Sequence, residues 1–409
     1  MARIAFAWEF GASYGHAVSC TGLGTALHAR GHAIGFMFRE LHQLAVLPET
    51  AAFDVFQAPR LPREGVGAER PASLADILLG CGYDDPRMLV ALVGGWRALL
   101  RHWNPDLVVA DFAPTALVAA GLLRLPRVSY GNGFFTPPRL SPLPPFRYDE
   151  PVDANRLRAV DARALASVNA ALARFGAPPL ARLCDLFETD EDFLCSFPEI
   201  DHYGTRPPAG YWGPRVRFDR GIEARWPQHA GRNIFVYVQR TLPQLDALID
   251  ALRSRDDNVI AFIPEVDGER RARLAAPHRL VADRPLRLDR LMKRCDLLVS
   301  LGGEIAGGAL TFGVPQLVFP QQYEQYLLAR RIEQLGAGGW IAGPVDAHAI
   351  AKTLDRLLAD ARAVTAARDF ARRYPAFSPE EQRRRIVARI EAILDAQPKN
   401  REEPHEPPG

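Results

Sequence analysis

The chain has 409 residues, enough for two domains of ordinary size. With 48% hydrophobic and 24% charged residues it has the composition of a soluble globular protein, and a net charge of +2 gives no support for nucleic acid or an anionic membrane as partner. No run reaches the roughly 18 apolar residues of a membrane span, since the longest candidate, Leu107–Leu123, is interrupted by Asp111.

In chain order, "ARIAFAW" is a short apolar run that predicts a buried first strand rather than a signal peptide. A glycine loop, "EFGASYG", leads into a helix from about His16 to Ala29, stopped by Gly31. "HAIGFMF" predicts the second strand. "DLVVADF", Asp106–Phe112, is followed by the helix "PTALVAAGLLR" and the strand "RVSYG". After a proline-rich stretch, Phe135–Phe146, helices are predicted at Ala154–Phe175 and Pro179–Phe187, and "DFLCSF" and "GYWGP" end the first half. Residues 215–232 are charged and poorly periodic, with Gly221, Pro227 and Gly231, and read as a linker.

The second half repeats the rhythm. "NIFVYV", "VIAFIP", "DLLVS" and "PQLVFP" are strands, alternating with the helical segments "LPQLDALIDALRSR", "DRLMKRC", "GGALTFG" and "YEQYLLARRIEQLG". Pro379–Leu394 predicts a last helix, and Ala396–Gly409 has the composition of a disordered tail. Strands alternating with helices imply parallel βαβ units, so the expected fold class is α/β, with two Rossmann-like domains facing a cleft. The expected boundaries are 1–214 for the first domain, 215–232 for the linker, 233–378 for the second domain, 379–395 for the helix and 396–409 for the tail. In such sheets ligands bind beyond the carboxyl ends of the strands. The five cysteines, scattered and odd in number, form neither a metal-ligand spacing nor a disulfide framework, which points to a reducing cytoplasm.

Four stretches carry a family resemblance: "YGHAVSCTGLGTALHARGH", "VVADFAPTALVAAGLLRLPRVSYGNGF", "FPEIDHYG…YWGP" and "CDLLVSLGGEIAGGALTFGVPQLVFPQQYEQYLLARR". In this order, over nearly the whole chain, they resemble the inverting nucleotide-sugar-dependent glycosyltransferases of the GT-B fold, the family of UDP-glycosyltransferases and bacterial macrolide glycosyltransferases. The resemblance implies a UDP- or TDP-linked sugar as co-substrate and a small-molecule acceptor. It implies no other cofactor and no metal, in keeping with the lack of an Asp-x-Asp pair near the site. The oligomeric state is left open.

The resemblance makes His16 the general base that deprotonates the acceptor, and Asp111 the carboxylate that orients it. Imidazole suits the role because its ordinary pKa lies near operating pH. Residue type alone equally admits a packing or capping histidine and a capping aspartate. On the donor side the family's diphosphate cradle aligns with "SLGGEIAGG". Its histidine falls on Leu301 or Ser300, its Gly-Thr pair on Glu304-Ile305 or Ile305-Ala306, and the glutamate that binds ribose in plant members on Gly308. The usual side-chain contacts are thus missing. Gly302, Gly303 and the amides up to Ala306 remain to hold the diphosphate, with Arg240, beyond "NIFVYVQ", as a phosphate clamp or a plain surface arginine. Leu288 falls where the family reads the base. Glu324-Gln325 matches the acidic residue and glutamine that hydrogen-bond the donor sugar.

Glu304 is the main departure. At about 5 Å and an effective dielectric near 20, it would repel each phosphate charge by on the order of 3 kcal/mol. The alternative it raises is a GT-B protein that no longer uses a nucleotide-sugar and has a binding, auxiliary or donor-independent acid–base role. On the acceptor side Tyr14, Phe112, Phe134 and Phe135 border the expected loops and suit a hydrophobic or aromatic acceptor. Each is as well read as core.

Overall fold

The computed structural model describes residues 1–11, 14–44, 47–61, 71–146, 152–206 and 210–397. The glycine loop before the first helix is therefore described except at positions 12 and 13, and the expected tail lies outside the described residues beyond Gln397.

Two six-stranded parallel sheets form the frame. The first holds β1 (Arg3–Trp8), β2 (Ala33–Phe38), β3 (Asp54–Gln57), β4 (Leu107–Asp111), β5 (Arg127–Gly131) and β6 (Glu191–Leu194), in the order β3-β2-β1-β4-β5-β6. The second holds β7 (Asn233–Tyr237), β8 (Asn258–Phe262), β9 (Arg279–Ala282), β10 (Leu297–Ser300), β11 (Gln316–Val318) and β12 (Gly338–Trp340), in the order β12-β11-β10-β7-β8-β9. Both are the doubly wound order in which strand direction of travel reverses beside the first strand. That switch point lies between β1 and β4 in one sheet and between β7 and β10 in the other. The register sets Trp8 beside Asp111 and Tyr237 beside Ser300. Ligand-facing strand ends are thus level across each switch point.

The central strands β1 and β4 are buried on both faces, which is why they read as unbroken apolar runs rather than alternating ones. Several elements lie outside those expected. β3 and β12 are short, and β12 reads "GGW". The helix Pro86–Trp103 carries its signals openly, with Asp85 as N-cap, Pro86 in the first turn, and Leu89, Val93, Trp96, Leu100 and Trp103 buried on one face. Helices Ala347–Ala359 and Ala361–Arg373 share Asp360 as the boundary between them. The helix expected over Pro179–Phe187 is reduced to a short 3₁₀ turn, Leu183–Phe187, because the Asn169 side chain holds both the N–H and the carbonyl of Leu180.

Residues between Gly213 and β7 form no helix or ladder strand; most of 219–232 is exposed, as expected of a linker, but the stretch 214–218 is packed. Pro214, Val216 and Phe218 lie against the helix Glu304–Leu310 at its two glycines. A Cβ at Gly307 would meet Ile200 and Pro214 at 3.2–3.3 Å, and one at Gly308 would meet Phe218 and Val216 at 2.8–2.9 Å. No glutamate side chain fits at Gly308, so the ribose contact of the plant members is excluded by packing as well as by sequence.

The last helix, Pro379–Asp395, crosses back to the first lobe. Ile386, Val387, Ile390 and Ile393 join the cluster built by β1, β2 and the helix Tyr14–His28, and Glu391 pairs with Arg30 at 2.9 Å. Replacing the fully buried Ile390 removes about three methylene equivalents from this seam. Ile390→Ala is expected to lower stability by about 2–5 kcal/mol, read as a lower urea midpoint for loss of the first lobe's signal.

Candidate active site

The two switch points face a shared cavity of about 690 Å³. From the first lobe come Phe10, Gly11, His16, Phe112 and Asn132, and from the second Tyr237–Gln239, Leu301–Ile305 and Gln321–Gln325.

His16, in the first turn of its helix, is buried between aromatic faces. Trp8 stacks on it with ring centroids 5.1 Å apart and Phe135 lies at 5.1 Å. Its Nδ1 is 2.9 Å from Asp111 Oδ2, which leaves Nε2 as the nitrogen toward the cavity. Gly11 makes room for it. A Cβ there would stand 3.0 Å from Nε2, and the φ of +79° is one that L side chains rarely adopt. Asp111 ends β4 wholly buried. Burial pushes its carboxyl up, but the Arg215 guanidinium and His16 outweigh that and hold it below the ordinary carboxylate value. The Cys20 thiol, kept neutral by burial and by the Asp111 charge, also points at Oδ2, at 3.5 Å.

Arg215 is the residue that sequence reasoning missed, placed in a segment read as a charged linker. Its side chain is 2% exposed. Nη1 is 3.0 Å from Asp111 Oδ2 and donates to the Tyr130 carbonyl at 2.7 Å. Its Nε and its own backbone N–H grip the two Glu304 oxygens at 3.0 and 2.8 Å. Burial acts against this charge, but Asp111 and Glu304 together hold the guanidinium firmly protonated. The only trace in the sequence is the apolar alternation of Val216 and Phe218 beside it, which fits a packed strand better than a solvated connection.

Glu304 therefore lines the cavity but is bent back onto the linker. The cradle around it is smaller than expected. Ser300 is fully buried and its Oγ accepts the Gly302 N–H at 3.1 Å, so neither that hydroxyl nor that amide is open to a ligand. Ala306 is buried, lies outside the cavity lining, and its N–H goes to the Gly303 carbonyl. Gly303, Glu304 and Ile305 remain at the mouth. Gly302 and Gly303 have φ of +99° and +71°, the turn that only glycine makes without strain.

Glu324 and Gln325 both reach the cavity. Glu324 Oε1 accepts from Asn132 Nδ2 at 2.9 Å and meets His202 Nε2 at 3.2 Å. The Phe134 N–H donates to Asn132 Oδ1 and so fixes which end of that amide faces Glu324. Asn132 and His202 were not among the expected site residues, and His202 is buried against Glu324. The Gln325 carbonyl oxygen is held by the Gln321 N–H at 2.8 Å, leaving its NH₂ toward the cavity.

Phe112, Phe134 and Phe135 line the first-lobe side together. Phe112 stacks on Phe135 at 4.5 Å and has the uncommon φ of +47°. Tyr14 does not join them, since it packs half-buried against the first-lobe core. Arg240 is also displaced. The chain turns outward after Gln239, and Arg240 is an exposed side chain paired with Glu265 at 3.2 Å. Leu288 lies in the core behind β7 and β8, with its N–H on the Phe218 carbonyl, and is not part of the lining. Among the described residues the one group of three side chains able to share a metal is His229, Asp256 and His278, none of which lines the cavity.

Two facing doubly wound sheets with a cavity between their switch points define the GT-B fold of nucleotide-sugar-dependent glycosyltransferases. Residues 246–391 match the family described as Erythromycin biosynthesis protein CIII-like, C-terminal domain, in line with the resemblance carried by the sequence motifs. No curated protein matches the sequence. Among solved structures, the spinosyn rhamnosyltransferase SpnG complexed with thymidine diphosphate is similar at 19% identity with a TM-score of 0.66, over 96% of this chain and 100% of that one. The glycosyltransferase VinC in complex with dTDP gives 17% and 0.67 over 97% and 100%. The glycosyltransferase SnogD from Streptomyces nogalater gives 20% and 0.59 over 95% and 99%. No helix of the described residues is long and apolar enough to cross a membrane.

Behind the cavity floor, Glu9 accepts the Thr115 N–H at 2.9 Å while its other oxygen is buried without a partner. Burial, only partly opposed by Thr115, raises its pKa to about 7. The folded state then binds a proton that the unfolded chain releases near its ordinary value of 4.5. Stability therefore falls as pH rises from about 4.5 to about 7 and is flat in this respect above. Glu9→Gln is expected to remove that slope and to be the more stable form at pH 8, as measured by urea unfolding across pH 5–8.

Proposed function

We propose that the protein transfers a sugar from a UDP- or TDP-linked donor to a hydroxyl of a hydrophobic or aromatic small molecule, with inversion. The observation that carries this is the buried His16–Asp111 pair, 2.9 Å apart, facing the Glu324–Gln325 clamp across one cavity. With Nδ1 held by Asp111, His16 Nε2 takes the acceptor proton, and Asp111 stabilises the imidazolium. The acceptor oxygen attacks the anomeric carbon on the face opposite the leaving diphosphate. Glu324 and Gln325 orient the sugar, and the amides of the turn at Gly303–Ile305 receive the diphosphate. Phe112, Phe134 and Phe135 supply an apolar acceptor wall. Neighbouring structures described as complexed with thymidine diphosphate or with spinosyn aglycone support a nucleotide-linked donor and a small-molecule acceptor. Five free thiols suit a reducing compartment.

One observation favours a second reading, a GT-B protein that has given up nucleotide-sugars. Among the described residues Arg215 is the only guanidinium or ammonium lining the cavity, and two carboxylates already engage it. Transfer assays over a panel of nucleotide-sugars decide the first reading. His16→Ala is expected to lower kcat/KM by about 10²–10⁴-fold, and undiminished transfer would remove His16 from its role. Calorimetry separates the two readings. Micromolar binding of TDP or UDP that tightens in Glu304→Thr supports the donor site, whereas binding by neither protein supports the second reading.

A further inference from the structure

We infer that Arg215 is a positioning residue that ties the donor cradle to the base, so that the engagement of Glu304 sets how much of Asp111's charge reaches His16. This rests on the reading of His16 as base.

Four side chains form one unbroken line of charge contacts. His16 Nδ1 lies 2.9 Å from Asp111 Oδ2, that same oxygen 3.0 Å from Arg215 Nη1, and Arg215 Nε 3.0 Å from Glu304 Oε1. The line starts in the first lobe, passes through the connection between lobes and ends at the cradle of the second. Tyr130 fixes the guanidinium from below, with its carbonyl on Nη1 and its ring 4.8 Å from the guanidinium carbon. Asp111 and Arg215 are almost wholly removed from water, so their mutual charges are weakly screened.

Sharing has a definite sign. Asp111 Oδ2 accepts from the imidazole and the guanidinium at once, and a carboxylate already faced by a cation stabilises an imidazolium less than a free one does. Arg215 in turn is drawn toward Glu304. Removing the Glu304 charge gives the guanidinium wholly to Asp111 and disfavours imidazolium. Removing the Arg215 charge frees Asp111 and favours it. Of the titratable groups facing this line, Cys20, Cys195 and Tyr130 are kept neutral by burial, while Trp8 and Phe135 pack their rings on His16. Glu324 lines the same cavity as His16 and Glu304, and with His202 it also shares a small pocket beside Glu304; the Asn132 amide and His202 hold one of its oxygens.

The test is a pH titration of the His16 ring resonances by NMR in the full chain, assigned with His16→Gln. Glu304→Gln is expected to lower the midpoint and Arg215→Gln to raise it, each by about 0.5–1 unit, a three- to tenfold change in imidazolium fraction. Arg215→Lys should return it toward the native value. An unmoved midpoint in Glu304→Gln overturns the proposal, and this variant stays informative if Arg215→Gln does not fold. Because the readout needs no donor, shifted midpoints without transfer from any nucleotide-sugar would sink the transferase reading and leave the linkage standing. Transfer with unmoved midpoints would do the reverse.

Discussion

A single guanidinium, Arg215, sits between a carboxylate from each lobe, and the cleft is arranged around it. Each of these charges gives up hydration worth several kcal/mol, so the group is sustained only by near-complete pairing. The fork of Nε and backbone N–H on Glu304 and the contact of Nη1 with Asp111 provide that pairing. Its geometry depends on features that look unrelated in the chain. Gly307 and Gly308 let the connecting segment lie flat on the helix Glu304–Leu310. Pro214, Val216 and Phe218 fill that contact and deliver Arg215 to the first residue of the helix.

The same interaction recasts the altered cradle. An acidic residue beside the proposed diphosphate site is repulsive in isolation, yet here Arg215 draws its charge toward the linker. The polar equipment lost from Leu301 and Gly308 is not replaced by other side chains aimed at a ligand. Ser300 turns its hydroxyl to its own turn, and Arg240 leaves the cleft altogether. What survives is backbone: a glycine turn with both residues at positive φ, at the end of a strand level with Tyr237. Glu324 differs in kind, because Asn132 from the opposite lobe pins one of its oxygens.

How much of this was legible in the sequence follows from the range of the contacts. The alternation of strands and helices is local, and both sheets are anticipated by their buried strands. His16 and Asp111, 95 positions apart, were singled out by the family resemblance, since residue type alone equally admitted packing or capping roles, and the glycine turn and strand end beside them bring them together. Phe112, Phe134 and Phe135 could be placed because they border the expected loops. Arg215, Asn132 and His202 could not. Their roles depend on partners 89 to 192 positions away in the chain, and nothing in their neighbours' periodicity announces those partners. Arg240 and Leu288 failed for the converse reason: one turn after Gln239 and one core contact at Phe218 redirect residues whose position along the chain looked suitable.

The path of the helix Pro379–Asp395 carries a consequence for the stability of the first lobe. Ile386, Ile390 and Ile393 seal a cluster founded by Ile4, Phe6 and Leu23, so the first lobe lacks one wall until a helix nearly the whole chain away in sequence has docked. Until the helix Pro379–Asp395 is available, the first lobe carries an open apolar seam.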